Sequence, residues 1–140
     1  MNRIVCIGNK FLQGDDFGSR VYARLIESSL PNTIQVIDGG VAGLNLLSFF
    51  DGCERLVFVD SLSDDISPDE VLVLEDDELV TNETIYSHAS GLGYVLQADR
   101  AIRKDDPPRI FLVGATRSTE QNIAAAVDRC VQLALEPLTE

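Results

Sequence analysis

The chain has 140 residues, 45% of them apolar, and its 11 basic and 23 acidic side chains give a formal net charge of −12. This length fits one domain with its own core, and the apolar content is too high for a disordered chain. The acidity argues against nucleic acids and anionic membranes as partners, and no apolar run approaches the roughly 20 residues of a membrane span.

The cysteine pattern indicates the cellular compartment. Cys6, Cys53 and Cys130 are far apart and form no C-x-x-C pair, so the sequence contains no zinc or redox motif of that kind. Cys6 and Cys130 lie among apolar residues, which predicts core positions. Scattered thiols, together with an N-terminus that enters a strand pattern without the features of a signal peptide, predict a cytoplasmic protein.

The N-terminal segment predicts a strand at 3–7, a loop with two glycines, and a helix from 17 to about 29. The loop ends in Asp15 and Asp16, and an aspartate before a helix often caps its free backbone N–H groups. Open α/β sheets bind ligands beyond the carboxyl ends of their strands, so the same loop is also a candidate site. The helix is predicted from four apolar residues on one face: Phe17, Val21, Leu25 and Ile26.

The middle of the chain predicts a strand at 33–37 that ends at Asp38-Gly39-Gly40, a short buried helix at 41–50, and a strand at 55–59. The third strand is continuously apolar and ends at Asp60. Such a run is typical of the centre of a parallel sheet, where both faces are buried.

The C-terminal half predicts a strand at 71–74, a helix through 92–102 that Ser87 could cap, a strand at 109–113 and a helix at 120–135. The alternation of strands and helices predicts one α/β domain over residues 1–140, with a mostly parallel sheet of about five strands in a three-layer αβα arrangement. The residues expected to face inward from the last two helices are Leu92, Val95, Leu96, Asp99, Ile102, Ile123, Ala124, Val127, Cys130 and Val131.

Three carboxylates follow predicted strands: Asp15 after the first, Asp38 after the second and Asp60 after the third. His88, the only histidine, precedes a helix that would run back across the sheet. Because the carboxyl ends of parallel strands share one edge, these side chains are expected to converge. Carboxylate oxygens with one imidazole nitrogen suit nickel or zinc better than magnesium or calcium.

Each of these residues also has a structural interpretation. His88 fits the surface of a helix start, Asp60 could accept hydrogen bonds from loop N–H groups, and Asp38-Gly39-Gly40 could be a turn. The acidic runs at 63–70 and 75–78 are interpreted as solvated faces. A nucleotide- or flavin-binding domain is the remaining alternative, but the loop glycines match no phosphate-binding fingerprint.

Taken together, these segments resemble the hydrogenase maturation endopeptidases over nearly the whole chain. The resemblance is carried by residues 7–9, 14–16 with Gly18, 36–43 with Leu46-Leu47, 56–60, and 87–88 with Gly91-Leu92. It implies a nickel-dependent endopeptidase that removes the C-terminal extension from the large-subunit precursor of a [NiFe] hydrogenase after nickel insertion. It further implies that Asp15, Asp60 and His88 contact nickel held by the substrate, and that the free protein carries no metal of its own.

The resemblance assigns Asp38 to cleavage or substrate engagement, as a base on water or as an orienting group. A metal with three protein ligands keeps an open position and can polarise the scissile carbonyl or activate water. Two departures from the family pattern leave alternatives open. Asp16 becomes the loop ligand if the alignment is shifted by one gap, and Ala89 follows His88 where Gln or Asn is common. A non-catalytic, metal-dependent binding or chaperone-like protein on the same fold is therefore the second hypothesis.

Overall fold

The computed structural model describes residues 1–9, 11, 16–40, 44–62, 70–76, 78–79 and 92–135. The elements are β1 (Asn2–Ile7), α1 (Phe17–Ile26), β2 (Ile34–Gly40), a 3₁₀ helix (Leu44–Phe50), β3 (Arg55–Ser61), β4 (Val71–Glu75), α2 (Leu92–Ile102), β5 (Arg109–Ala115) and α3 (Glu120–Leu135). They build one five-stranded sheet with the order β2-β1-β3-β5-β4. Only β4 is antiparallel to its neighbour, which confirms the prediction of a mostly parallel sheet.

The sheet is covered on both faces, so the three-layer prediction is confirmed. Helices α1 and α3 pack on one face against a cluster that includes Cys6 and Val59. Helix α2 and the 3₁₀ helix cover the other face, where the cluster includes Ile7 and Phe58. All seven residues of β3 are buried, as its continuous apolar pattern predicts, because alternate side chains enter opposite clusters. We call the face of the sheet covered by α1 and α3 the α1/α3 face, and the face covered by α2 and the 3₁₀ helix the α2 face.

Helix α1 lies unusually close to β1. A Cβ atom at Gly18 would stand 2.0 Å from the carbonyl oxygen of Ile7, a distance that no side chain can occupy. Val21 and Leu25 are buried as predicted, but α1 ends at Ile26 and that side chain is 56% exposed. The prediction that Ile26 belongs to the inward face was wrong, because it lies at the margin of the stripe that Val21 and Leu25 form.

The two core thiols confirm the cysteine prediction. Cys6 and Cys130 are buried and free, and both belong to the cluster on the α1/α3 face. Burial raises the pKa of both thiols well above the ordinary value, with smaller contributions at Cys6 from Cys130 and Asp38. These thiols are therefore neutral packing groups at physiological pH.

Two predicted element boundaries need correction. Strand β2 extends through Gly40, and β3 through Ser61, so Asp38 and Asp60 belong to the strands. Both strands continue because their ladders do: Gly40 pairs with Ile7, and Ser61 pairs with Ala115. The segment Leu44–Phe50 is a 3₁₀ helix, and the predicted residues 41–43 lie outside the described part.

The inward faces of α2 and α3 are only partly as predicted. Ile102 is 65% exposed and Ala124 is exposed, so both predictions were wrong. Asp99 is buried as predicted, and its carboxylate accepts hydrogen bonds from the Arg103 guanidinium at 2.9 Å. Ile102 is exposed because, at 3.6 residues per turn, it lies at the margin of the buried face of α2. In α3, the buried residues are Asn122, Ile123, Ala126, Cys130, Leu133 and Ala134.

Candidate active site

The sheet contains one position where ligands are expected on topological grounds. From β1 the chain crosses to β2 on one side, whereas β3 lies against β1 on the other side. The carboxyl ends of β1 and β3 therefore flank a switch point, and open α/β sheets bind ligands in the crevice outside such a point. The loop with Asp15 and Asp16 follows β1, and Asp60 lies near the end of β3.

Asp60 is a buried carboxylate at the centre of this edge. Its residue is only 3% exposed, and it pairs in register with Gly114 of β5. The backbone N–H of Ser61 donates to Asp60 Oδ1 at 2.8 Å. This bond fixes the orientation of the carboxylate. A buried, oriented carboxylate at a strand end is suited to hold a cation or a polarised substrate group.

Asp38 is exposed and lies in a β-bulge at the end of β2. Cys6 pairs with Asp38 and Ile7 pairs with Gly40, so Gly39 is an extra residue between two paired positions. Asp38 Oδ1 accepts a hydrogen bond from the N–H of Gly40 at 3.0 Å, and Gly40 has a φ of 59°. Bulges redirect side chains and are frequent beside active sites. The interpretation of Asp38-Gly39-Gly40 as a simple turn after the strand was therefore wrong.

Asp38 and Asp60 reach the same edge of the sheet but do not form a pair. They lie two strands apart, which is about 10 Å at ordinary strand spacing. Asp38 shares the α1/α3 face with Cys6, its register partner, whereas Asp60 follows the alternation of Phe58 onto the α2 face. The two carboxylates are consequently placed for different tasks.

Asp16 does not cap α1 with its side chain, so that structural interpretation was wrong for this residue. Its Oδ1 accepts a hydrogen bond from the Ser118 hydroxyl at 2.8 Å, and Arg20 donates to the Ser118 carbonyl at 2.6 Å. Asp16 thus connects the start of α1 to the loop between β5 and α3. The Asp16 carboxylate therefore has a structural partner, and the choice between Asp15 and Asp16 as the loop ligand stays a prediction, because Asp15 lies outside the described residues.

Two of the four predicted site residues, Asp15 and His88, lie outside the described residues, as does Ser87, the predicted cap. Within the described ranges, no group of three or more His, Cys, Asp or Glu side chains forms a metal site. The predicted set of Asp15, Asp60 and His88 therefore stays a prediction. Helix α2 begins at Leu92, four residues after His88 in the sequence.

Ser61 is a polar residue of this edge that the sequence analysis missed. It is 5% exposed, and within the described ranges its Oγ has no hydrogen-bond partner. Its direct succession to Asp60 at the end of an apolar run was the available signal. The hydroxyl adds hydrogen-bonding capacity on the α1/α3 face, opposite the Asp60 side chain.

The described clefts lie away from this edge. One of about 350 Å³ is lined by Leu47, Asp51 and Arg103, where the amino ends of the strands lie. A smaller one lies beside Pro107 and Pro108. Neither of these two clefts is lined by a predicted site residue. Among the described helices, none is long and apolar enough to cross a membrane.

Comparison with known proteins identifies the family of this chain. The family model described as hydrogenase maturation protease matches residues 20–140. The hydrogenase 2 maturation protease of Escherichia coli is 31% identical, over 98% of this chain and 85% of that protein. The hydrogenase expression/formation protein HupD of Rhodobacter capsulatus is also 31% identical over 79% of this chain, which spans about half (54%) of HupD.

Solved structures show the same relationship. The hydrogenase maturating endopeptidase HybD of Escherichia coli superposes with a TM-score of 0.76 at 26% identity, covering 92% of this chain and 88% of HybD. The HybD protease of Thermococcus kodakarensis, at 21% identity, shares the fold with a TM-score of 0.74, covering 95% and 98% of the two chains. The chain therefore belongs to the hydrogenase maturation proteases and is an endopeptidase, a hydrolase that acts on peptide bonds.

Proposed function

We propose that this endopeptidase removes the C-terminal extension of a [NiFe] hydrogenase large-subunit precursor after nickel has been inserted, and that the nickel is part of the substrate. The observation that carries the proposal is the buried, oriented carboxylate of Asp60 beside the topological switch point. A rigid strand end is the kind of support that a precise binding position needs.

The proposed contacts to the substrate's nickel are Asp15, Asp60 and His88. Two carboxylates and one imidazole suit a borderline divalent ion such as nickel. Asp60 supplies the central, fixed ligand. Asp15 belongs to the loop after β1, which adjoins β3, and His88 precedes α2 by four residues in the sequence. Helix α2 ends where Arg103 contacts Asp51 ahead of β3, so its first turn lies toward the carboxyl edge.

Within this proposal the protein's residues bind and orient the precursor. A bound divalent ion can polarise a carbonyl or activate water. The Asp60 carboxylate is held in place by the Ser61 N–H, which avoids the cost of ordering it when the precursor arrives. Asp38 lies about 10 Å away on the other face. It is therefore proposed to orient the tail of the precursor, or to act as a base on water.

The cytoplasm is the proposed site of processing. The three cysteines are free, which suits a reducing compartment.

The proposal is tested by measuring tail removal from a nickel-loaded precursor with the variants Asp60→Asn and His88→Ala. Each change removes one proposed nickel contact, and Asp60→Asn keeps an acceptor for the Ser61 N–H. We expect the rate of processing to fall at least about 100-fold in both variants. Circular dichroism and thermal unfolding establish that each variant is folded.

Asp128→Asn is the matched control, because it removes one carboxylate from the exposed side of α3. Processing by this variant should equal that of the wild type. A folded His88→Ala protein that processes at the wild-type rate would remove His88 from the site, and a wild type that never cuts the nickel-loaded precursor would refute the proposed reaction.

A further inference from the structure

We infer that the outer edge of β2 binds the tail of the substrate as an added β-strand, which brings the peptide alongside Asp38. This inference rests on the proposed function, because it names how the peptide of the same reaction is held. Strand addition to an open edge is a general mode of peptide recognition, in which backbone hydrogen bonds supply the affinity.

The first observation is the position of β2 in the sheet. Strand order places β2 and β4 at the two edges, so each has one side without a neighbouring strand from the described part of the chain. Strand β2 is also the strand whose end carries Asp38 in its bulge. A peptide along β2 would therefore run directly past a carboxylate of the candidate active site.

The second observation concerns the direction of the backbone groups of β2. Asn2 N–H of β1 donates to the carbonyl of Thr33 at 2.8 Å, so the backbone of Thr33 faces β1. Because alternate residues of a strand direct their N–H and C=O to opposite sides, Val36 and Asp38 direct theirs outward. Among the described residues, no backbone hydrogen bond reaches these two from the outer side. They lie about 7 Å apart along the strand, which matches alternate residues of an extended peptide.

The third observation concerns the residue types of β2 itself. Proteins guard edge strands with lysines, prolines or covering segments, because an open edge pairs with other chains. The β2 sequence Ile34–Gly40 contains no Lys, Arg or Pro. Val36 and Ile37 are only partly buried, one on each face, so an added strand would find apolar contacts on both sides.

The opposite edge shows what protection looks like. The backbone N–H of Asp76 donates to the carbonyl of Ile110 in β5 at 2.9 Å, so the backbone groups of Asp76 face β5. Because alternate residues of a strand direct their backbone groups to opposite sides, those of Glu75 and Val73 point outward from β4. The outward N–H of Glu75 is already bonded to the Glu78 side chain at 2.9 Å. The β4 edge is thus partly closed and lies at the far side of the sheet from Asp38.

The experiment uses proline, which removes one backbone N–H and places a ring at the strand edge. Val36→Pro removes an outward donor of β2, and Val73→Pro does the same on β4. Both valines are partly buried against the same cluster, so the two variants are matched in lost packing. With nickel-loaded precursor, we expect Val36→Pro to process about tenfold more slowly or worse, and Val73→Pro to match the wild type.

Amide hydrogen exchange on the wild type keeps the test decisive if Val36→Pro does not fold. In saturating precursor, the amides of Val36 and Asp38 should become protected, while that of Val73 stays unchanged. Unchanged exchange at β2, or equal processing by both proline variants, would overturn the inference and leave the proposed function intact. Protection of Val36 in the precursor-free protein, together with a dimer in sedimentation, would assign the edge to a second copy of the chain. If the wild-type protein does not process the nickel-loaded precursor, both this inference and the proposed function are refuted.

Discussion

Gly18 shows how a single residue positions the candidate site. Ile7 is the last residue of β1, and its carbonyl oxygen lies only 2.0 Å from the position that a Cβ atom of residue 18 would take. Helix α1 can therefore approach β1 only through a glycine. This approach fixes the position of the first turn of α1 relative to the end of β1.

Replacing this glycine should be costly. We expect Gly18→Ala to reduce the free energy of unfolding by about 3 kcal/mol or more, because the methyl group must displace the helix from the strand. Urea unfolding followed by circular dichroism measures the change.

Gly52→Ala is the control for that substitution. Gly52 has a φ of 77° but only one neighbouring atom near the added methyl group, at 3.8 Å, so only the backbone cost of about 1–2 kcal/mol applies. Equal losses at Gly18 and Gly52 would show that the close approach of α1 and β1 does not limit stability.

At the scale of elements, α2 is anchored at its end by a buried ion pair. The side chains of Arg103 and Asp99 are 9% and 6% exposed, and Arg103 also contacts the exposed carboxylates of Asp51 and Asp105. The pair holds the end of α2 against the segment before β3. Because α2 is the helix that follows His88 in the sequence, this anchor also limits where its first turn can lie.

Removing the buried carboxylate partner of Arg103 should lower the free energy of unfolding far more than removing an exposed one. We expect Asp99→Ala to reduce the free energy of unfolding by about 3 kcal/mol, because it leaves the guanidinium without its main partner. Asp105→Ala, which removes an exposed carboxylate, should change it by less than about 1 kcal/mol. Thermal and urea unfolding compare the two, and similar losses would contradict a special role for Asp99.

The sequence predicted elements better than their ends. The continuous apolar run predicted β3 correctly, because a strand buried on both faces is apolar throughout. The helical spacing of apolar residues predicted α1, because a helix buried on one face repeats its apolar residues at that spacing. The bulge at Asp38 and the extension of β2 through Gly40 were not predictable, since they depend on pairing with β1. The partner of Asp16, Ser118, is 102 residues away, and no local pattern contains it.

At the scale of the whole molecule, the sheet order brings the ends of β2 and β3, which are distant in the sequence, to one edge. Predicted carboxylates at the ends of three strands were expected to share an edge, and the order β2-β1-β3 places Asp38 and Asp60 there. Their separation onto opposite faces could not be read from the sequence, because it depends on the register of both strands with β1. The family resemblance, in contrast, was visible in the motifs and is confirmed by the comparisons.

The measurement that tests the central claim most directly compares one hydrogenase large-subunit precursor in two states, nickel-loaded and nickel-free, with the wild-type protein. Mass spectrometry of the precursor follows the loss of its C-terminal extension over time. We predict that only the nickel-loaded precursor is cut, because the substrate's nickel provides the contact that positions its tail at the carboxyl edge of the sheet. Equal cutting of the nickel-free precursor would contradict a substrate-held metal as the element that the protease recognises.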